Sequence, residues 1–340
     1  TIRVGKETLN ATPEEKTGNL IIKNGKISSV NAKYNQMIAA NEDTSICIEG
    51  GVLNGSVFSY GEIDISGGRI EGECLGSLVA TYYTGSINIS GGKISNNLEN
   101  DVIEGVTFAV SVNNSRKSAG GRKNLNITGG IISAKKAPAL GISSDEKEDI
   151  KKPEISISGD TEIKSEEDSV IYFDFDQSLD AKYMELDIKD NVKLEGKRIL
   201  EIVGKDGDNT KNLKFNISDG VRLKYTEAVP FLPNSSYITY TEGKVIATKP
   251  NADGYYEFVT AKDVKQKITI GGVEKEWGYQ YLEAIERSIA GAKPIYDTKN
   301  AENKYNADLW TKFKKAYDEA LPIPQNKNAN QKEIDYFNDE

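Results

Sequence analysis

The stretch INISGGKIS, Ile87 to Ser95, alternates aliphatic and polar residues and then breaks on the pair Gly91–Gly92. Alternation with period two sends successive side chains to opposite faces of a strand, and the glycine pair supplies a turn. The pattern occurs eight times: LIIKNGKI from Leu20, ICIEGGVL from Ile46, IDISGGRI from Ile63, INISGGKI from Ile87, LNITGGII from Leu125, ISISGDTEI from Ile155, LDIKDNVKL from Leu186 and FNISDGVRL from Phe215. The third position is isoleucine every time: Ile22, Ile48, Ile65, Ile89, Ile127, Ile157, Ile188 and Ile217. A fixed isoleucine at a repeated position predicts a stacked interior column. Asn and Asp, the residues that best replace glycine in a turn, fill the break where glycine is missing.

Copies start 26, 17, 24, 38, 30, 31 and 29 residues apart, so the strand is constant while the intervening loops vary. Further strand signals lie between copies at VTFAVSV (Val106 to Val112), VIYFDFD (Val170 to Asp176) and ILEIV (Ile199 to Val203). Short strands recurring at this interval predict the coils of a β-solenoid, each burying its apolar positions only against its neighbours. Eight coils at about 4.8 Å each would stack to roughly 40 Å. The Ile-x-Ile-x-Gly-Gly copies resemble the coils of right-handed parallel β-helix proteins of the pectin-lyase-like kind, which include bacterial surface modules of the carbohydrate-binding type. The resemblance covers residues 1–222 and implies an architecture more than an activity.

The 340 residues carry a net charge of −9 and no histidine. A Ser-His-Asp triad, a Cys-His pair and histidine-ligated metal sites are therefore excluded. No basic block interleaved with aromatics is present, so nucleic acid is not an expected partner. Cys47 and Cys74 form neither a metal motif nor a disulfide framework. No apolar run approaches the roughly 20 residues of a membrane span. The chain opens on Thr1 rather than Met, which fits export behind a removed leader, and any anchor is expected outside these residues.

From Trp277 the alternation gives way to helical periodicity. Tyr281, Leu282, Ile285 and Ile289 mark one helix, which Gly291 and Pro294 are expected to stop. Asn306 or Asp308 caps a second helix carrying Leu309, Trp310, Phe313, Ala316, Tyr317 and Ala320, with Pro322 and Pro324 beyond it. NANQKEIDYFNDE suggests a third helix capped by Asn330. The spacing of Tyr305, Trp310, Phe313 and Ala316 resembles the FIVAR module, a three-helix unit of secreted Gram-positive surface proteins, and this resemblance implies a cell-surface location. The expected organisation is a parallel β-helix with a terminal β cap over 1–275 and a truncated FIVAR-like module over 276–340. Strand-like pieces within Lys224 to Glu276 would supply the last coils or the cap.

With the first and third template positions inward, the second points outward and forms a surface column: Ile21, Cys47, Asp64, Asn88, Asn126, Ser156, Asp187 and Asn216. Such a polar ladder could floor an extended polysaccharide; equally, outward residues on a solvated strand are simply polar. Arg69 and Lys93 hold the same position in adjacent copies, next to Asp64 and Asn88. Lyases of the resembled architecture abstract a proton with Lys or Arg, helped by calcium held on Asp. In VIYFDFD, Tyr172, Asp174 and Asp176 share the face opposite Phe173, with same-face neighbours about 7 Å apart. Such carboxylates suit either calcium or acid–base glycoside chemistry, with the tyrosine as a sugar platform. KDGDNTKN sets Asp206, Asp208 and Thr210 at alternate positions, a fragment of a calcium loop or a plain turn.

The expectation is a monomeric, exported, non-catalytic module that binds polysaccharide or a host or cell-wall glycan, or serves as an adhesin stalk. No cofactor is required, calcium being the one candidate ion. The alternatives are a lyase or hydrolase on an acidic glycan, and a spacer in a larger surface protein.

Overall fold

The computed structural model describes residues 2–4, 18–29, 36–82, 85–100, 102–103, 107–113, 124–144, 154–175, 184–203, 213–227, 230–232, 238–240, 244–247, 250–260, 265–270, 273–278, 282–298 and 305–321. The chain divides into two compact units, Thr1–Tyr240 and Thr241–Glu340. The first is a parallel β-helix in which each coil contributes strands to three faces.

The eight sequence copies form the first face and the turn out of it. Their isoleucines pair directly from coil to coil, Ile22 with Ile48, Ile48 with Ile65, Ile65 with Ile89, and so on through Ile127, Ile157, Ile188 and Ile217. All eight are buried. A fully buried isoleucine contributes about 1.5–3 kcal/mol relative to an exposed one, so this column is a principal stabiliser of the stack. The second face adds a column from Leu53 through Ile70, Ile94, Ile132, Ile163 and Leu194 to Leu223. The third face adds one from Ile38 through Val57, Val79, Val110, Leu140, Ile171 and Leu200 to Phe231. Three inward columns meeting along one axis make the core.

The corner between the first and second faces explains the glycine pairs. A Cβ on Gly67 would collide with the carbonyl oxygen of Glu49 in the coil below. Gly92 adopts φ +81, and its Cβ would lie 2.8 Å from the Gly67 carbonyl oxygen. Coils stacked at strand spacing leave no room for a side chain there. From the copy at Ile155 onward the corner differs. Six residues rather than five separate the paired inward positions, as in Ile157 to Ile163 against Ile127 to Ile132, and the ladder shifts register between Ile127 and Gly129. Positive φ moves to Gly159 and Asp190, and Thr161, Val192 and Val221 fill the inside of the bend. Asparagine serves the next corner: buried Asn96 donates to the carbonyls of Cys74 (3.0 Å) and Phe108 (2.9 Å) and accepts from the amides of Cys74 and Leu98. Its amide is thereby satisfied without water.

The parallel ladder closes with Ile238–Tyr240 on the first face. In the second unit, Lys244–Ile246 pairs antiparallel with Phe258–Thr260, and Lys265–Ile270 with Val273–Gly278. Two helices follow, α1 (Leu282–Tyr296) and α2 (Ala307–Ala320). The expected stop at Gly291 and Pro294 is not observed: α1 runs through both to Tyr296. Proline so near a helix end removes only one late hydrogen bond, and Lys293 pairs with Asp297 at 2.6 Å in the last turn. Asn306 caps α2, its Oδ1 accepting from the amides of Asp308 (3.0 Å) and Leu309 (3.3 Å). Tyr296 of α1 stacks on Tyr317 of α2 at 4.3 Å and donates its hydroxyl to Asp318. Trp310 lies half-buried between Tyr305 (5.7 Å) and Phe313 (5.4 Å). The segment expected to form a third helix lies outside the described residues.

Candidate functional site

The first-face outward column is real and continuous, with Cys47, Asp64, Asn88, Asn126, Ser156, Asp187 and Asn216 paired coil to coil. Its members also bond one another. Asn88 Nδ2 donates to Asp64 Oδ1 at 2.8 Å and to Glu62 at 3.3 Å. Asn216 repeats the arrangement with Asp187 at 2.6 Å and Glu185 at 3.2 Å. Amide above carboxylate is a favourable cross-strand pairing, since it avoids stacking like charges. Ser156, the shortest member beside Asn126 and Asp187, is only 2% exposed. At the other extreme Ile21 begins the column at 53% exposure. Burial, and then the Asp64 carboxylate, push the Cys47 thiol above its ordinary range, so it sits in the ladder as a neutral group.

Arg69 and Lys93 are direct register partners, as their shared template position predicts. They belong to the second face, across the glycine corner from Asp64 and Asn88. Arg69 reaches Glu71 at 2.5 Å, whereas Lys93 has no carboxylate partner among the described residues. The bare corner is therefore flanked on one side by amides and carboxylates and on the other by two exposed cations.

Tyr172 and Asp174 lie on the third face. Tyr172 is 5% exposed, its ring 5.8 Å from that of Phe108, so it offers no open platform. Gly141 permits this packing, because a Cβ there would strike the Phe108 ring. Asp174 pairs in register with Ser143 and Val203. Asp176, Asp206 and Asp208 lie outside the described residues. Among the described residues no group of three or more Cys, Asp or Glu side chains is arranged to hold a metal ion. The sequence-derived candidates thus occupy three different faces.

A further carboxylate cluster joins coils on the third-face side. Ser169 Oγ donates to Glu201 at 2.6 Å, Arg198 stands 3.5 Å from Glu201, and the Ser169 amide donates to Asp168 at 2.7 Å. Burial foremost, with Glu201 adding to it, holds the Asp168 carboxyl above the usual carboxylate range.

The repeat pattern gave no sign of an aromatic group on the third face. Phe58 lies 4.9 Å from Tyr60 in edge-on geometry and 5.2 Å from Tyr82, with Tyr60 and Tyr82 6.5 Å apart. The outward residues around it run Ala39, Phe58, Ala80, Ser111, Gly141 in one column and Tyr82, Asn113, Ser143 in the next. Phe58 lies within the strand Ser56–Ser59, Tyr60 just after it and Tyr82 at the end of Ser77–Tyr82, positions that no repeated sequence pattern marks.

The fold class is a parallel β-helix followed by two helices. Comparison of the chain with protein-family models, curated proteins and solved structures finds no match. No helix among the described residues is long and apolar enough to cross a membrane.

Proposed function

We propose that the chain is an exported, non-catalytic cell-surface module that binds polysaccharide: a pectin-lyase-like β-helix carrying a FIVAR-like helical appendage. One observation carries this reading, the register that stacks Asp64, Asn88 and Asn126 on one side of the glycine corner and Arg69 with Lys93 on the other. Hydroxyl-rich chains need closely spaced donors and acceptors, and these recur at one coil spacing, about 4.8 Å, close to the length of a single pyranose unit. The cations suit a glycan that carries carboxylates. The pairing of Tyr296 with Tyr317 and the Asn306 cap support the helical appendage.

The dispersal of Arg69, Lys93, Tyr172 and Asp174 over two faces speaks against lyase chemistry, which needs base and carboxylates in one groove. A glycan array probed with the intact chain tests the proposal, with Lys93→Ala and Asn88→Ala as comparison. Binding weakened by either variant supports it. An empty array favours the spacer, and release of unsaturated product from hexagalacturonate favours the lyase.

A further inference from the structure

Asparagine is followed by glycine twice in the chain, at Asn24–Gly25 and at Asn54–Gly55. Such pairs are prone to cyclise, because a residue without a Cβ leaves its nitrogen open to the preceding side chain. The fold treats the two pairs oppositely. Asn24–Gly25 forms the corner of the first coil, the place taken by Gly50–Gly51 in the second, and both of its residues are exposed. Gly25 holds φ +93, and nothing lies within 4 Å of where its Cβ would stand. Its amide donates to Asn24 Oδ1 at 2.8 Å, so the nitrogen and the side-chain carboxamide are already in contact. Asn54–Gly55 ends the second-face strand Val52–Asn54 and is locked into its neighbours. The Gly55 amide donates to the Glu71 carbonyl at 3.2 Å, and the Asn54 carbonyl accepts from the Ser29 amide at 2.9 Å. Gly55 is buried with Met37 and Ser29 against it, and Asn54 Oδ1 is buried as well.

We infer that Asn24 is a site of spontaneous covalent modification, converting to aspartate and isoaspartate while Asn54 is spared. Water is the sole co-reactant. The Gly25 nitrogen gives its proton to hydroxide and attacks Asn24 Cγ; the bond from Cγ to Nδ2 breaks, and Nδ2 takes up a proton and leaves as ammonia. Water then opens the five-membered imide at either carbonyl. Breaking the bond from the Gly25 nitrogen to Cγ yields aspartate. Breaking the bond from that nitrogen to the Asn24 main-chain carbonyl carbon yields isoaspartate, whose main chain is longer by one carbon. Both products place a carboxylate between Lys23 and Lys26, and Lys26 heads the outward second-face column that runs through Val52 and Arg69 to Lys93. Only isoaspartate changes the geometry. The Gly25 carbonyl accepts from the Val52 amide at 2.8 Å, and a Cβ on Gly51 would lie 2.8 Å from that same oxygen. An added main-chain carbon displaces this oxygen, so the first coil comes away from the second at the corner.

The test incubates the intact chain in mildly alkaline buffer, where the Gly25 proton is lost most readily, beside a sample held in denaturant. Peptide mapping by mass spectrometry follows both and separates aspartyl from isoaspartyl peptides. In the folded chain the Asn24 peptide converts about tenfold or more faster than the Asn54 peptide, and in denaturant the two rates converge. Asn24→Gln removes the product, since the longer side chain must close a less favourable ring. Equal rates at the two asparagines in the folded chain overturn the inference, as does an Asn24 that converts only in denaturant. Hydrogen exchange reads the consequence: the isoaspartyl fraction loses protection at the Val52 amide, whereas Asn24→Asp keeps it. Unchanged protection in the isoaspartyl fraction overturns the loosened corner.

Discussion

Asn88 donates its amide to the Asp64 carboxylate one coil below at 2.8 Å, and Asn216 does the same to Asp187 near the other end of the stack at 2.6 Å. Each pair puts a donor where a second carboxylate would be repelled. Asn88→Asp therefore sets like charges directly opposite across adjacent strands. It is expected to lower stability by about 0.2–1 kcal/mol, with part of the loss recovered at high salt. Denaturant melts at two ionic strengths check this; no change at either would remove the ladder's structural role.

The glycine corner separates close approach from backbone freedom. Gly67→Ala drives a Cβ onto the Glu49 carbonyl and is expected to cost about 1–3 kcal/mol. Gly76, in the bend after the second face, has nothing within 4 Å of such a Cβ and no positive φ. Gly76→Ala is expected to be neutral or to stabilise by about 0.4–1 kcal/mol. Equal losses in the two variants would show that the corner is not sterically closed.

Thr81 is fully buried on the third-face interior, and its hydroxyl has no hydrogen-bond partner. Thr81→Val exchanges that oxygen for a methyl of similar size. The expected gain is about 1–2 kcal/mol, read as a higher melting temperature. A lower melting temperature would mean that the hydroxyl is satisfied in solution.

Asp168 gives the pH dependence its sign. Its carboxyl is raised above the unfolded value, first by burial and then by Glu201. The contribution of this group to stability is complete below the unfolded carboxylate pKa and is lost as pH rises through the folded one. Asp168→Asn keeps an oxygen to accept from the Ser169 amide and removes the charge. The variant is expected to melt higher than the parent at pH 7 and level with it at pH 3. Equal shifts at both values would refute the assignment.

The first face was legible because one coil copies another: Ile22 through Ile217 and the turns after them can be aligned by eye, and the ladder pairs them as aligned. The third face was partly hidden for a physical reason. Its interior accepts Ala40, Ser59, Thr81, Val112 and Ile142 in a single column, so no fixed residue marks it. Strands such as Gln36–Ala40 (QMIAA) and Ser56–Ser59 (SVFS) do not alternate apolar with polar residues, so the period-two pattern passes over them. The aromatic cluster was invisible for a related reason, since Phe58 and Tyr82 meet only once coils are stacked. Tyr172 misled through alternation alone: it does point away from the axis, but Phe108 from two coils below lies against it across Gly141.

The change of corner at Thr161 splices two rods of different gauge. Coils before it turn on Asn24–Gly25 or on paired glycines, with one residue fewer in the bend; coils after it turn on Gly159, Asp190 and their filler residues Thr161, Val192 and Val221. A coil duplicated within either half would find a matching neighbour above and below. One transplanted across the splice would present a bulky filler to a corner with no space for it. The repeat can therefore grow by copying itself on either side of Ile155, while the splice remains a single unrepeatable joint.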